Sequence, residues 1–268
     1  MILQDLHIHS KYDDGRGSLM EIAEAAKDRG LCSVGFSGHS PLPYENDWSM
    51  SWDSFHAYME EGRKVKESMG GELDVYLGIE YDVISDLELS GFDYVIGSVH
   101  HVMDGEEPIS IDDTLEFFEE ACTRFGNVEK LVEAYYETVG QLADNPYVDI
   151  VGHFDIITKF NERKCLIDTD GEAYVAASKS AMKKLVKAGK IFEINSGAVS
   201  RGYRTEPYPS KALICELHKM GGRVTITSDA HSLDGLCYGF EQAKVLAREC
   251  GFGEIWQLID GKFQAVEL

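Results

Sequence analysis

Seven short β-rich runs separated by amphipathic helical patterns constrain this chain more than any other feature. The runs are Ile2–Leu6, Cys32–Ser37, Leu73–Ile79, Tyr94–Val99, Val148–Gly152, Ile191–Asn195 and Arg223–Ser228. Between them, Ser18–Arg29 opens with the capping-box spacing Ser18-x-x-Glu21 and stops at Gly30, and Asp170–Ala188 is closed by Gly189. Pro209–Met220 and Phe240–Glu249 repeat the scheme, while Met103–Asn145 carries two helical patterns, more than a simple repeat needs. Strand–helix alternation with short connections implies parallel strands and right-handed crossovers. Seven such units point to an α/β chain closed, or nearly closed, into a TIM-barrel-like ring, with residues 1–268 as one domain. After the last unit, Glu254–Leu258 and Lys262–Val266 flank Asp260-Gly261 and read as a hairpin.

The reactive residues fall at the C-terminal ends of these runs. His7 and His9 follow the first in DLHIH, His39 the second in FSGH, and Glu80 closes the third in YLGIE. His100 closes the fourth in IGSVH, His153 follows the fifth in DIVGH, and Asp229 and His231 follow the seventh in TITSDAH. In a parallel barrel those ends surround one face, where barrel enzymes build their sites. Residues more than two hundred positions apart are therefore expected to meet. Imidazole nitrogen and carboxylate oxygen suit zinc, manganese or iron. His7 and His9, at i and i+2 on an extended segment, point to the same side, and Asp229 and His231 repeat the spacing. Asp14 in KYDDG can join from the first loop, with Asp13 beside it as the alternative. Nine candidate ligands exceed what one tetrahedral ion needs, so two or three divalent ions are expected. His56 and His218 sit in helical stretches and read as ordinary surface or core residues. His101 should face away from the site if His100 faces it, and Asp155 is expected to support His153 or to cap the next segment.

Composition excludes several partners. The formal charge of −22 argues against a nucleic-acid surface, and no apolar run is long enough to cross a membrane. The opening MILQDLHIHS lacks a basic, then apolar, leader pattern, so a cytoplasmic chain is expected. The six cysteines are scattered without a CxxC pair and are expected to be reduced core residues. There is no GxxxxGK[ST] loop, no HExxH, and no cysteine followed six residues later by arginine. Asp168-Thr169-Asp170 precedes a helix, where aspartates commonly cap, and is not read as a nucleophile motif.

Taken together, DLHIHSKYDDG, SGHS, GIE, GSVHH, VGHFD and SDAH resemble the PHP (polymerase and histidinol phosphatase) superfamily, and FEINSGAVSRGYRTEPYPS followed by TSDAHS resembles its histidinol-phosphatases. The resemblance spans nearly the whole chain. It implies a distorted (β/α)7 barrel with a trinuclear metal centre that hydrolyses histidinol phosphate. It also implies that His7, His9, Glu80 and Asp229 serve a first metal, Glu80, His100 and His153 a second, and Asp14, His39 and His231 a third.

On that reading, a hydroxide bridging two metals and held at Glu80 and Asp229 attacks phosphorus. Three carboxylates against three divalent ions leave a positive pocket in an acidic protein, which reconciles the net charge with a phosphate substrate. Arg201 is the preferred phosphate clamp, because a guanidinium can grip two oxygens, with Arg204, Arg163 and Lys159 behind it. Trp48, Trp52 and Tyr44, in the segment after His39, could wall the substrate pocket, and His101 is a further candidate contact. The expected partner is a small phosphomonoester; the oligomeric state is left open. The alternatives are another phosphorylated small molecule or a phosphotyrosyl protein as substrate, and a non-catalytic metal-binding regulatory domain.

Overall fold

In a computed structural model, which describes residues 4–268, the repeating units close on one another. The first unit runs from β1 (Gln4–Asp5) through α1 (Leu19–Asp28) to β2 (Ser33–Phe36), and the second through α2 (Trp52–Ser68) to β3 (Asp74–Asp82) and β4 (Tyr94–Ser98). An excursion follows: a hairpin of β5 (His101–Asp104) and β6 (Glu107–Ser110), then α3 (Leu115–Arg124) and α4 (Val128–Gln141). The barrel resumes with β7 (Ile150–Val151), α5 (Asn161–Lys164), α6 (Glu172–Lys187), β8 (Ile191–Asn195), α7 (Gly197–Ser200), α8 (Lys211–Lys219) and β9 (Arg223–Thr227). Last come α9 (Phe240–Glu249), β10 (Glu254–Ile259) and β11 (Lys262–Glu267).

The sheet order is β1-β2-β3-β4-β7-β8-β9, with each neighbouring pair parallel. Its two edges meet just beyond β1 and β9. There the Ala230 N–H donates to His7 O at 3.1 Å, and the His9 N–H donates to Ala230 O at 2.9 Å. The seam therefore runs through the HIH and DAH motifs themselves. The expected (β/α)7 barrel is borne out. The first strand candidate is described only from Gln4 onward; Ile2 and Leu3 lie outside the described residues.

Alternation along the strands stacks the interior in layers. Leu6, Tyr94, Ile96, Ile150, Ile191 and Leu258 form an apolar layer at the N-terminal end. Leu258 comes from β10, so the C-terminal hairpin floors the barrel. Gln4 secures it: its amide donates to Leu258 O at 2.8 Å and accepts from Leu258 N at 2.8 Å. The Tyr94 ring lies across β2 and β3 where both carry glycine. A Cβ at Gly78 would sit 2.3 Å from its Cζ, and one at Gly35 2.4 Å from its hydroxyl. Tyr76, Gly78 and Glu80 share one face of β3, which thus climbs from this layer to the site.

Helices cover the outside. The capping box expected of α1 is present, with Ser18 Oγ accepting from Glu21 N and Glu21 accepting from Ser18 N at 2.8 Å. Leu19, Ile22, Ala23 and Ala26 are its buried face, and each large side chain so buried contributes about 1.5–3 kcal/mol. The hairpin turn is also as expected. Asp260 and Gly261 both have positive φ, as a two-residue turn of this hand requires. Two expectations need correction. The helical patterns read over Met103–Asn145 cover two helices, but the segment begins with strands β5 and β6. The cysteines are not uniformly reduced core residues: Cys215 on α8 is bonded to Cys250 at the end of α9, and Cys32 and Cys165 are exposed. Helices α8 and α9 are neighbours in the outer layer, which a separation of 35 residues conceals. Among the described residues, no helix is long and apolar enough to cross a membrane.

Candidate metal centre

All nine side chains singled out by position meet at the C-terminal mouth of the barrel, and Glu80 is their hub. Its two oxygens face different histidines. Oε2 lies 2.9 Å from His39 Nδ1, 3.2 Å from His7 Nε2 and 3.5 Å from His9 Nε2. Oε1 lies 2.8 Å from His153 Nε2 and 3.3 Å from His100 Nε2. Asp229 Oδ1 is 3.2 Å from His9 Nε2 and 3.8 Å from His7 Nε2. Asp14 Oδ1 is 3.3 Å from His231 Nε2 and 3.8 Å from His39 Nε2. Three groups are compact enough to surround an ion: His7, His9 and Asp229; His39, Glu80 and His100; and His9, Asp14, His39 and His231. Asp229 adopts φ +51°, a left-handed conformation uncommon for a non-glycine residue, and its carboxylate occupies the space a side chain at Gly197 would need.

A second layer of carboxylates orients the imidazoles. Asp13 Oδ2 lies 2.6 Å from His9 Nδ1 and accepts from His39 N at 3.0 Å, so of the adjacent pair Asp14 faces the site and Asp13 supports it. Asp112 is 3.3 Å from His100 Nδ1, and Glu193 is 2.8 Å from His7 Nδ1. Asp112 and Glu193 were not among the candidates legible in the sequence. For Glu193 a signal existed, because a charged residue in the middle of IFEIN is out of place in a buried strand unless it has work there. Asp155 does not pair with His153; it accepts from Ser210 N at 3.1 Å and faces Arg204 at 3.6 Å.

Electrostatics test what this donor set suits. Burial disfavours charge on His7, His9 and His100, yet their carboxylates outweigh it. Glu193 and Glu80 hold His7, and Asp112 holds His100, well above the usual imidazole range, and Asp13 raises His9 to about 10. Burial likewise pushes Glu80 and Asp229 up, but His39 and His7 around Glu80, and Arg201 and His7 around Asp229, pull both well below the carboxylate range. So concentrated a set of buried carboxylates demands positive charge. His7 Nε2, His9 Nε2 and Glu80 Oε2 are buried without a hydrogen-bond partner among the described residues. Nitrogen and oxygen donors that converge there without hydrogen-bond partners suit divalent cations, which would displace protons from the imidazoles.

The cavity above this centre has a volume of about 250 Å³ and is lined by His39, Trp48, His100, Lys159, Arg201 and Tyr203 among others. Of the four basic candidates, Arg201 and Lys159 reach it and the other two do not. Arg204 is buried elsewhere, donating to Thr158 Oγ1 at 2.7 Å and Glu206 at 3.2 Å, and Arg163 donates to Gly202 O at 2.6 Å on the surface. Trp52 heads α2, 49% exposed, against Phe55, so it is Trp48 that walls the cavity. His101 turns away as alternation requires, 3.3 Å from Asp82 and 2.6 Å from the Tyr44 hydroxyl.

Residues 5–197 match the PHP domain family, and the chain belongs to that family. Its curated relatives include proteins named histidinol-phosphatase and others named only probable phosphatase. It is 30% identical over 263 residues to a Deinococcus radiodurans protein named "Probable histidinol-phosphatase", covering 93% of this chain and 94% of that one. It is 23% identical over 268 residues to the histidinol-phosphatase of Bacillus subtilis, covering 89% and 97%. A solved structure of histidinol phosphate phosphatase from Lactococcus lactis, complexed with zinc, L-histidinol and phosphate, shares the fold with a TM-score of 0.75 at 19% identity, covering 98% of this chain and 99% of that one. The resemblance read from the ordered motifs is borne out.

Proposed function

We propose that this chain is a metal-dependent phosphomonoesterase that hydrolyses L-histidinol phosphate to L-histidinol and inorganic phosphate. The observation that carries the reading is Glu80, a fully buried carboxylate whose two oxygens are divided among five imidazoles beneath a cavity that also holds Arg201 and Lys159. Curated relatives along nearly the full length include proteins named histidinol-phosphatase, and the Lactococcus lactis protein of the same fold is complexed with zinc, L-histidinol and phosphate.

His7, His9, Glu80 and Asp229 would hold one ion, Glu80, His100 and His153 a second, and Asp14, His39 and His231 a third. His39 also stands close enough to Glu80 to be shared. The all nitrogen-and-oxygen donor set suits zinc, manganese or iron. Divalent ions there supply Lewis-acid charge that activates water at neutral pH and neutralises phosphate oxygens.

The chain's own residues do the rest. Arg201, anchored on Asp229 with about a third of its side chain exposed, grips phosphate oxygens. Lys159 is steadied by donating to Asp112 O at 2.6 Å and keeps further N–H groups for the substrate. Water oxygen adds to phosphorus and gives up a proton, the bond to the alcohol oxygen breaks, and that oxygen leaves as the alcohol, its proton balancing the one water lost.

Parallel turnover assays on histidinol phosphate, a nucleoside monophosphate, a sugar phosphate and a phosphotyrosyl peptide, followed by phosphate release, test the proposal. Histidinol phosphate should give the highest kcat/KM. Preferred turnover of any other substrate would reassign it, and no release from any of them by metal-loaded protein would support the regulatory-domain reading.

A further inference from the structure

Strand β8 carries Ile191, Glu193 and Asn195 on its inner face, one step each from the apolar floor to the site. Glu193 is fully buried, and among the described residues no lysine or arginine is paired with it. Removing a carboxylate from water is costly, so every lone pair must be used well. All its contacts face the centre. Oε2 accepts from Thr227 Oγ1 at 2.9 Å and lies 2.8 Å from His7 Nδ1. Oε1 accepts from the His153 backbone N–H at 2.6 Å and from Asn195 Nδ2 at 2.8 Å. Asn195 Nδ2 also lies 3.3 Å from Asp229 Oδ2.

We propose that Glu193 is the positioning residue of the centre: it fixes the tautomer of His7 and places His153, so that one carboxylate on β8 sets the donors of two different ions. The inference rests on the metal-dependent reading above. A carboxylate only accepts, so when His7 is the neutral ring that ligates an ion its proton sits on Nδ1 and its Nε2 lone pair faces Glu80 and Asp229. The same carboxylate anchors the backbone from which His153 reaches Glu80 Oε1.

The chemistry of an amide separates this role from a merely structural one. In Glu193→Gln the volume is kept, but one end of the side chain becomes a donor. Toward His153 N and Asn195 Nδ2 that end would meet two fixed donors. It must therefore turn toward Thr227, whose hydroxyl can rotate to accept, and toward His7. His7 can then accept at Nδ1 only by moving its proton to Nε2, the nitrogen needed for coordination. The substitution should spare the His153 side and damage the His7 side.

The test is zinc titration of metal-free wild type and Glu193→Gln in competition with a chromophoric chelator, with folding checked by circular dichroism. The expected result is a folded variant in which one ion is held about 10–100-fold more weakly while another is held as in wild type, the size typical of losing an outer partner of a ligand. Equal affinities for every ion in the two proteins would overturn the role of Glu193 and leave the phosphatase reading standing. Wild type that binds no zinc would overturn both. Nitrogen NMR of zinc-loaded wild type gives a readout independent of any variant's folding. A protonated Nδ1 on His7 supports the proposal, and zinc coordination through Nδ1 contradicts it.

Discussion

Arg201 reaches back to Asp229, with Nη2 3.1 Å from Oδ2 and Nη1 2.9 Å from the backbone oxygen. The same Nη1 lies 2.8 Å from His231 Nδ1. The arginine expected to clamp phosphate is thus built into the carboxylate and histidine of the DAH motif. This geometry ties substrate grip to the metal centre. It also explains why burial fails to raise Asp229, which the guanidinium holds well below the usual carboxylate range.

Replacing Arg201 should therefore cost more than a surface charge would. Arg201→Ala is expected to lower kcat/KM by about 100–1,000-fold, the scale of losing a preorganised donor to developing charge. Arg201→Lys should recover only part of this, because an ammonium restores charge without the two-pronged grip. Steady-state kinetics at saturating metal check both. An unimpaired Arg201→Ala enzyme would remove Arg201 from the site.

Glu80→Gln tests the hub. It keeps the volume but removes the negative charge against which five imidazoles are arranged. Metal affinity should fall by more than the about 10–100-fold typical of an outer partner, with activity falling alongside it. Metal content after gel filtration, compared with wild type, is the measurement.

The barrel floor makes a separate stability prediction. Gly78→Ala would place a methyl group 2.3 Å from the Tyr94 ring, inside a layer with no room to yield. Overpacking of this kind costs about 1–3 kcal/mol. In a protein of this size that should lower Tm by several degrees, at about 2–4 °C per kcal/mol. Thermal unfolding of the variant beside wild type decides it.

The bond between Cys215 and Cys250 gives a second stability expectation. Closing a loop of 35 residues restricts the unfolded chain, worth about 2–4 kcal/mol in the chain-entropy account. A Cys215→Ala/Cys250→Ala double variant should melt measurably below the oxidised wild type, and reductant should lower Tm only in the wild type.

The barrel and the meeting of its reactive residues were legible because both follow from order along the chain. Strand ends in a parallel barrel share a face whatever lies between them, so His7 and His231 could be brought together from opposite ends of the sequence. The Asp260-Gly261 turn was legible for a local reason, since its two residues tolerate positive φ. The hairpin of β5 and β6 was not, although Gly105 at its tip, just after Asp104, has positive φ and carried a signal of the same kind. Helical spacing further along the segment overrode it. Arg204, Arg163 and Trp52 were misplaced because they lie in a loop, in a single helical turn and at a helix's first residue, where no periodicity fixes which way a side chain points. Asp14 and Asp13 could be separated only by the turn that sends one into the cavity and folds the other under His9.

The central claim is that the histidine–carboxylate centre drives histidinol phosphate hydrolysis through bound divalent ions. The direct measurement is release of inorganic phosphate from histidinol phosphate by protein stripped with chelator, verified metal-free by elemental analysis, and then titrated with zinc, manganese or iron. Activity should be lost on stripping and return as two or three ions bind per chain. Full activity in verified metal-free protein would contradict the account.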